Sequence, residues 1–327
     1  NDVKSIENVD LPDSLHSLIL TRIDQLTEHQ KSTIKVASVI GRLFEAGWLW
    51  GMYPELGEPE QIRRDLEVIS RMELAPLDKP DPELSYIFKH VVTQEVTYES
   101  LPYAMRAILH DQLARFLEHR YADQLGRYTF LLAHHYDRSQ NEPKKREYLR
   151  KAGRQAQAEY SNEAALDYFQ RLLPLLLVPD ERVPVLINAG EVLSLAGRYE
   201  GALTYYAAAR YFVEIRPASE EQVRLLAELC RKTADVYYWR SEYDTALQWL
   251  EQGLAYLGSD SPLIEAARLY NSGGAAYRRV GNYEQAIAWC ENSIAVASQI
   301  DTRDGQRAVG RAYYCLLYTS PSPRDCK

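Results

Sequence analysis

Apolar and polar residues alternate with different periods in the two halves of the chain. Between residues 11 and 127, apolar residues recur every three or four positions in short segments, which predicts amphipathic helices. The first helix starts at a Leu-Pro-Asp-Ser sequence, and further helices are predicted near residues 28–40, 45–53 and 60–72. In the first helix, the residues expected to face the core are Leu15, Leu18, Ile19, Ile23 and Leu26.

Two short extended segments follow these helices, at residues 73–77 and 85–88. A turn-prone stretch rich in Asp and Pro, at residues 78–82, separates them. Three or four helices followed by a small β-hairpin are typical of a winged helix. We therefore predict a winged-helix-like domain with a connecting helix over residues 1–127.

From about residue 143 the sequence repeats a turn that is followed by Tyr-x-x-Ala and then Leu or Ile. The copies begin at Tyr199, Tyr243 and Tyr283, whereas Asn162 replaces the tyrosine in an earlier copy. A small residue precedes each repeated Ala by 12 positions, so we expect it on the preceding antiparallel helix, opposite that Ala. The predicted packing pairs are Gly153 with Ala165, Gly190 with Ala202, Ala234 with Ala246, and Gly274 with Ala286.

Steps of 37, 44, 40 and 36 residues separate the small residues of successive units, and Gly310 begins a fifth unit. The 44-residue step predicts longer helices or a larger loop, and Pro217 and Pro262 lie between units. Periods of this length predict an α-solenoid over residues 128–315, with a concave face that binds a protein or peptide. The fold class is therefore mainly all-α.

The helix pairs resemble tetratricopeptide repeats. Residues 11–26 and 86–101 are similar to the region that follows the ATPase module in bacterial signalling proteins of the STAND class. Many of these proteins begin with a class III adenylate or guanylate cyclase domain. The resemblance implies that this chain is a fragment of a longer regulator, and that its partners are an upstream ATPase domain of the same chain and an unknown protein or peptide.

The residues themselves offer no complete catalytic site. A phosphate-binding loop needs a Gly-Lys dipeptide, which the chain lacks, so we predict neither an enzyme nor a bound cofactor. The adjacent His134 and His135 point about 100° apart on a helix and do not predict a metal site. The four cysteines have no metal-binding spacing, and Cys230 and Cys290 are expected to be buried, reduced thiols.

His90 is the candidate nucleotide-sensing residue. In related STAND ATPases, a winged-helix histidine contacts the phosphates of bound ADP, and the Phe88-Lys89-His90 segment resembles that motif. The alternative is that His90 simply lies at the start of a helix, where its hydrogen-bonding groups are satisfied by the backbone.

A DNA-binding transcriptional regulator with a repeat sensor domain is the alternative function. Residues 1–127 contain 14 basic and 21 acidic residues, which disfavours contact with phosphates. The nearest basic cluster, Lys144 to Arg146 with Arg150, Lys151 and Arg154, is expected to be a solvated face. The sequence contains neither a membrane-spanning run nor a signal pattern, so a cytoplasmic location is predicted.

The last residues depart from the repeat. From about Leu316 the sequence resembles a translated sequencing adapter and is expected to break the helical pattern. A natural disordered tail is the alternative, and two prolines would suit it. We exclude residues 316–327 from the predicted fold.

Overall fold

The computed structural model describes residues 13–258 and 261–319. Sixteen α-helices and three short β-strands lie in this part of the chain, in agreement with the predicted mainly-α class. The residues up to Ala152 form one compact unit, and those from Gly153 onward form a second. The division that we predict after residue 127 stays a prediction.

The first unit combines helices with a small sheet. Its helices α2, α3 and α4 lie within two residues of their predicted limits. Short 3-10 turns occur at Pro54–Leu56 and Ala122–Gln124. In chain order the elements are α1 (Asp13–Asp24), α2 (Glu28–Ile40), β1 (Leu43–Glu45), α3 (Ala46–Met52), α4 (Pro59–Arg71), β2 (Leu77–Lys79), β3 (Ser85–Ile87), α5 (Val91–Glu99), α6 (Tyr103–Arg120), α7 (Leu125–Arg138) and α8 (Glu142–Ala158), which runs on into the second unit.

The sheet has three strands and not the two of the predicted hairpin. Its order is β1-β3-β2, and both pairings are antiparallel. The prediction missed β1 because this strand is defined by pairing with β3, which lies 40 or more positions further along the chain. Phe44 of β1 is buried between two exposed neighbours, and its ring packs on those of Tyr86 and Phe88. This aromatic cluster joins the sheet to the core.

Buried Asp65 connects α2 to α4 in the core of the first unit. Its carboxylate accepts hydrogen bonds from Thr33 Oγ1 and from Gln61 Nε2, each at 3.2 Å, and it pairs with His29 Nδ1. In α1 and the residues after it, Ile19, Ile23 and Leu26 are buried as expected. Leu18 instead faces solvent, and the side chain of Leu15 lies outside the described residues.

Glu118 of α6 holds α7 and α8 through three short polar contacts. It accepts hydrogen bonds from Tyr136 Oη at 2.6 Å, from Tyr148 Oη at 2.8 Å and from Lys144 Nζ at 2.6 Å. The two phenol rings stack with their centroids 5.1 Å apart. Burial would raise the pKa of Glu118, but these hydrogen bonds outweigh burial and lower it. A single carboxylate thus orients three helices.

The second unit is an α-solenoid of antiparallel helix pairs. Its second helices begin at Asn162 and at the three repeated tyrosines, as the turn pattern predicts. The 44-residue step is accommodated by α12, which has 20 residues. A 3-10 turn at Leu173–Leu175 follows α9. The elements after α8 are α9 (Asn162–Leu172), α10 (Pro179–Leu195), α11 (Tyr199–Glu214), α12 (Glu220–Trp239), α13 (Tyr243–Leu257), α14 (Ile264–Arg279), α15 (Tyr283–Ala297) and α16 (Arg303–Thr319).

The turn inside each helix pair has the same backbone geometry. The second residue before each second helix has a positive φ, with 58° at Tyr160, 73° at Gly197, 64° at Ser241 and 80° at Gly281. The next backbone N–H donates to a carbonyl five residues earlier, as from Arg198 to Leu193 at 2.8 Å. This pattern is a Schellman motif, which closes the first helix of each pair. Two of the four turns place a residue with a side chain in this left-handed conformation.

The predicted break in the helical pattern at Leu316 is wrong. Helix α16 continues through Leu316 and ends at Thr319. The residues from Leu316 to Thr319 include no proline or glycine, so nothing in them stops a helix that has already begun. The two prolines of the tail, and the resemblance of residues 320–327 to an adapter, lie outside the described residues.

Candidate partner-binding face of the helical repeats

The predicted small-residue pairs all lie in the interior of the second unit. Their helices are antiparallel partners, but the closest neighbour of two of the glycines is an aromatic ring. A Cβ added at Gly153 would be 2.5 Å from Phe169, and one added at Gly190 would be 2.4 Å from Tyr206. These glycines therefore make room for a ring one helical turn beyond the paired Ala. The eight buried residues are Gly153, Ala165, Gly190, Ala202, Ala234, Ala246, Gly274 and Ala286.

The last pair has a closer approach of the two helices. A Cβ at Gly274 would be 3.3 Å from the backbone oxygen of Ala286 and 2.6 Å from Sγ of Cys290. Cys230 and Cys290 are fully buried and free, as expected from the sequence. The structure also brings Cys290 next to Cys315 in a small buried cluster, although 25 residues separate them. Both thiols belong to the packing of α15 and α16.

The first helices of successive pairs lie side by side, and they present one continuous face. Along each helix the side chains on this face follow a spacing of three, four and three residues. We call it the first-helix face. On α12 the spacing selects Glu228, Arg231, Asp235 and Tyr238; on α14 it selects Arg268, Asn271, Ala275 and Arg278; on α16 it selects Asp304, Arg307, Arg311 and Tyr314.

On α12 the charges of the first-helix face are paired with one another. Arg231 donates to Glu228 at 2.9 Å and to Asp235 at 2.7 Å. Lys232 pairs with Glu228 at 3.2 Å and with Glu191 of α10. Burial would raise the pKa of Glu228, but the two cations outweigh burial and lower it to about 2. The charged groups here are already satisfied.

Between α14 and α16 the same face is rich in arginine. Arg268 donates to Asp304 at 3.0 Å, and Arg307 lies 3.6 Å from the same carboxylate. The residues line a groove of about 810 Å³ that Arg231 borders on the α12 side. We call the groove formed by Arg268, Arg278, Arg307, Arg311 and Asp304 the arginine groove. These residues were not predicted from the sequence: their spacing indicates which side chains share one face of a helix, but not that two helices bring those faces together.

The three lysines of the basic cluster at the start of α8 are paired with neighbouring carboxylates. Lys144 pairs with Glu118 and also with Glu147 at 3.2 Å, and Lys151 lies 2.6 Å from Glu147. Lys145 lies 3.4 Å from Asp137. These pairings reduce the positive charge that the cluster could offer to a phosphate backbone.

His90 lies at the N-cap of α5, three residues after the end of β3. Its side chain is exposed and makes no capping hydrogen bond, while its carbonyl accepts one from the N–H of Thr93 at 3.0 Å. Its neighbour Phe88 is fully buried, and Lys89 pairs with Glu73 at 2.7 Å. The neighbours thus fix the backbone at His90 and leave its imidazole open to solvent.

A buried pair of histidines in the first unit was not foreseen. Nδ1 of His110 lies 2.8 Å from Nδ1 of His135, and Nε2 of His110 lies 3.0 Å from Tyr98 Oη. Burial lowers the pKa of His110 to about 3, and burial lowers that of His135 well below its ordinary value. Both rings are therefore neutral near pH 7. The sequence could not indicate that His135 pairs with a residue 25 positions away.

The residues that the structure describes contain no cluster of three or more His, Cys, Asp or Glu side chains arranged to hold a metal ion. No described helix is both long and apolar enough to cross a membrane.

Comparisons with solved structures return helical repeat proteins. No family model matches the chain, and no curated protein matches it. The tetratricopeptide-like repeats of a putative kinesin light chain from Podosopora anserina share 14% identity, with a TM-score of 0.45; the match covers 62% of this chain and 100% of that one. BtubC from P. vanneervenii shares 14% identity at a TM-score of 0.43, covering 68% and 92%. MamA from Desulfovibrio magneticus RS-1 shares 18% at a TM-score of 0.37, covering 53% and 94%. Likeness at this level does not extend to function.

Proposed function

We propose that this chain is a regulatory and protein-interaction region of a multidomain bacterial signalling ATPase of the STAND class. In this proposal the first unit is a winged helix that docks on an ATPase domain of the same polypeptide. The helix pairs of the second unit bind the ligand or partner that activates the protein. In many of the proteins that the sequence resembles, the output domain is an adenylate or guanylate cyclase.

The observation that carries this proposal is the arrangement of elements in the chain. Helices α1 to α7 and a three-stranded antiparallel sheet precede a stack of helix pairs with a continuous first-helix face. Stacked helix pairs present an extended surface to other proteins, which supports an interaction role. Nucleotide exchange in the ATPase would shift how the first unit docks, and partner binding would bias the same equilibrium.

His90 is the proposed contact to the nucleotide. Its exposed imidazole follows a rigid strand end, so an adjoining domain could reach it without unfolding the first unit. We expect His90→Ala in the complete protein to weaken the retention of ADP. ADP that co-purifies with the protein would be released by heat and quantified by chromatography.

The matched control is His119→Ala, because His119 is also an exposed histidine of the first unit. It should leave ADP content unchanged. Equal ADP content and equal activity in His90→Ala and in the unmutated protein would contradict the nucleotide-sensing role. Sequencing the gene upstream tests the wider proposal, since an ATPase of this class requires a Gly-Lys phosphate-binding loop there.

DNA binding is the alternative function, since helices with a small antiparallel sheet also occur in transcriptional regulators. The charges of the first unit oppose it. On α4, Arg63 is held by Asp81 through two hydrogen bonds of 2.8 and 3.0 Å, and the lysines of the α8 cluster are paired with carboxylates. The interaction role is therefore favoured.

A further inference from the structure

We propose that the arginine groove binds a carboxylate-rich segment of a partner protein. This inference rests on the proposed interaction role of the repeats and adds the chemistry of the partner. The groove lies on the first-helix face between α14 and α16 and is about 810 Å³ in volume.

The first argument is an excess of guanidinium groups over carboxylates. Asp304 is shared by Arg268 and Arg307, at 3.0 and 3.6 Å. Exposed Arg311 has no carboxylate partner within the residues that the structure describes. A guanidinium offers five N–H donors in a planar fork that matches the two oxygens of a carboxylate. The groove therefore has donors that a partner can satisfy.

The second argument is the contrast with the neighbouring part of the same face. On α12, Arg231 is already held by Glu228 and Asp235. The chain as a whole has a net charge of −8, so a local cluster of arginines stands out against an acidic background. An acidic segment would be repelled over most of the surface and attracted to the groove, which gives both orientation and specificity.

The third argument is the size and lining of the groove. Arg268 and Arg278 are ten positions apart on α14, which corresponds to about 15 Å along a helix. An extended peptide rises about 3.3 Å per residue, so the groove spans roughly five residues. Ala275, Ala308 and Tyr314 add small and aromatic surface between the charges. These dimensions suit a short peptide segment.

A nucleic acid would fit less well. It requires positive charge along an extended path, because each phosphate contact contributes separately to the affinity. Beyond the groove, Arg231 of the first-helix face is already held by Glu228 and Asp235, so it would attract the next phosphates only weakly. A protein segment can place its acidic residues only where the arginines are.

The test uses the whole chain and a synthetic peptide. Fluorescence anisotropy would measure binding of a labelled peptide of about ten residues in which Glu and Ala alternate. The corresponding Gln and Ala peptide is the uncharged control. The rival probes are a phosphoserine and Ala peptide and a single strand of about twelve thymidines.

The key variant is R307Q/R311Q, which removes two exposed guanidinium groups without changing the core. The matched control R171Q/R198Q removes two arginines from ion pairs with Asp167 and Glu163 elsewhere in the second unit. We expect the Glu peptide to bind the unmutated chain and the control equally, and to bind R307Q/R311Q at least about tenfold more weakly. Circular dichroism would show that both variants remain folded.

Equal affinity for the Glu and Gln peptides would overturn the inference, and so would equal binding by R307Q/R311Q. Tighter binding of the phosphopeptide or of the thymidine strand would overturn the choice of a carboxylate ligand. If the peptide results contradict the inference but ADP retention still depends on His90, the proposed function remains supported. Loss of the His90 effect, with normal peptide binding, would instead contradict the nucleotide coupling alone.

Discussion

At the scale of single residues, the first unit depends on buried polar groups whose partners are distant in sequence. Asp65 accepts a hydrogen bond from Thr33, and Glu118 accepts one from Tyr148. Each carboxylate is satisfied by several donors, so removing it would leave buried donors without a partner, which is more costly than the loss of one hydrogen bond. The His110 and His135 pair differs, because it is stable only while both rings are neutral.

We predict that the first unit loses stability as the pH falls from about 6.5 toward 3. Burial lowers the pKa of His110 from 6.5 to about 3 in the folded chain, so the unfolded chain takes up the proton first. The first unit has its full stability above pH 6.5. Below that pH its free energy of unfolding falls by up to about 1.4 kcal/mol per pH unit for each histidine. This loss of stability can be measured by amide hydrogen exchange of α6 and α7 at pH 7.5 and pH 5, corrected for the intrinsic exchange rates.

The double variant His110→Leu/His135→Leu should reduce this dependence on pH, because both titrating groups are gone. Exposed His119→Leu serves as the control and should behave as the unmutated chain. The explanation fails if the double variant retains the full loss of protection at pH 5.

At the scale of elements, the helix pairs are specified by glycines that accept an aromatic ring and by left-handed turns. A Cβ at Gly190 would overlap the Tyr206 ring, whereas one at Gly310 of α16 would meet nothing within 4 Å. Glycine is thus required at the first position and not at the second. The left-handed turns are less strict, because glycine occupies two of them and Tyr160 and Ser241 occupy the other two.

We predict that Gly190→Ala destabilises the second unit by about 1 to 3 kcal/mol, since the Tyr206 ring must move in a packed core. Gly310→Ala should instead be neutral or stabilising by up to about 1 kcal/mol, because alanine favours a helix over glycine. Urea denaturation followed by circular dichroism would compare the two. Equal midpoints for both variants would show that the ring contact is unimportant.

The left-handed turns give a separate prediction. Ser241→Gly and Tyr160→Gly should each stabilise the chain by about 1 kcal/mol, because a Cβ at positive φ is strained. Gly281→Ala should destabilise it by a similar amount, although its Cβ would have free space. Thermal denaturation monitored by circular dichroism would rank the variants. A higher melting temperature for Gly281→Ala would contradict the assignment of strain to the backbone.

At the scale of the whole molecule, the distribution of charge decides between the two proposed functions. The chain is acidic, many of its basic residues are paired with carboxylates, and four arginines line the arginine groove. This arrangement favours a local acidic ligand over a nucleic acid.

We therefore predict no salt-sensitive binding of random duplex DNA at low ionic strength. An electrophoretic mobility shift with the whole chain, at about 50 mM and about 200 mM salt, measures this. A retarded complex that disappears as the salt is raised would favour the DNA-binding alternative. The R307Q/R311Q variant would then show whether the arginine groove is responsible.

The periodicity of the sequence was sufficient to predict where the repeated helices begin, but not to predict strand β1 or the arginine groove. The repeated Tyr-x-x-Ala segments located the starts of α11, α13 and α15 because local turn chemistry and helical spacing act within a few residues. Strand β1 was missed because its pairing with β3 joins residues that are 40 or more positions apart. The arginine groove was missed for the same reason, since it combines side chains from separate helices.

The sequence by itself determined the mainly helical class, the repeat period, the helix-pair turns and the acidic charge. Each of these depends on residue type and short-range spacing, which the chain carries in linear order. Only the tertiary structure decided which rings lie over Gly153 and Gly190, that His110 contacts His135, and that Arg268 and Arg307 from two helices share Asp304 in a groove lined by two further arginines. These features depend on packing between elements, where distance in space is independent of distance along the chain.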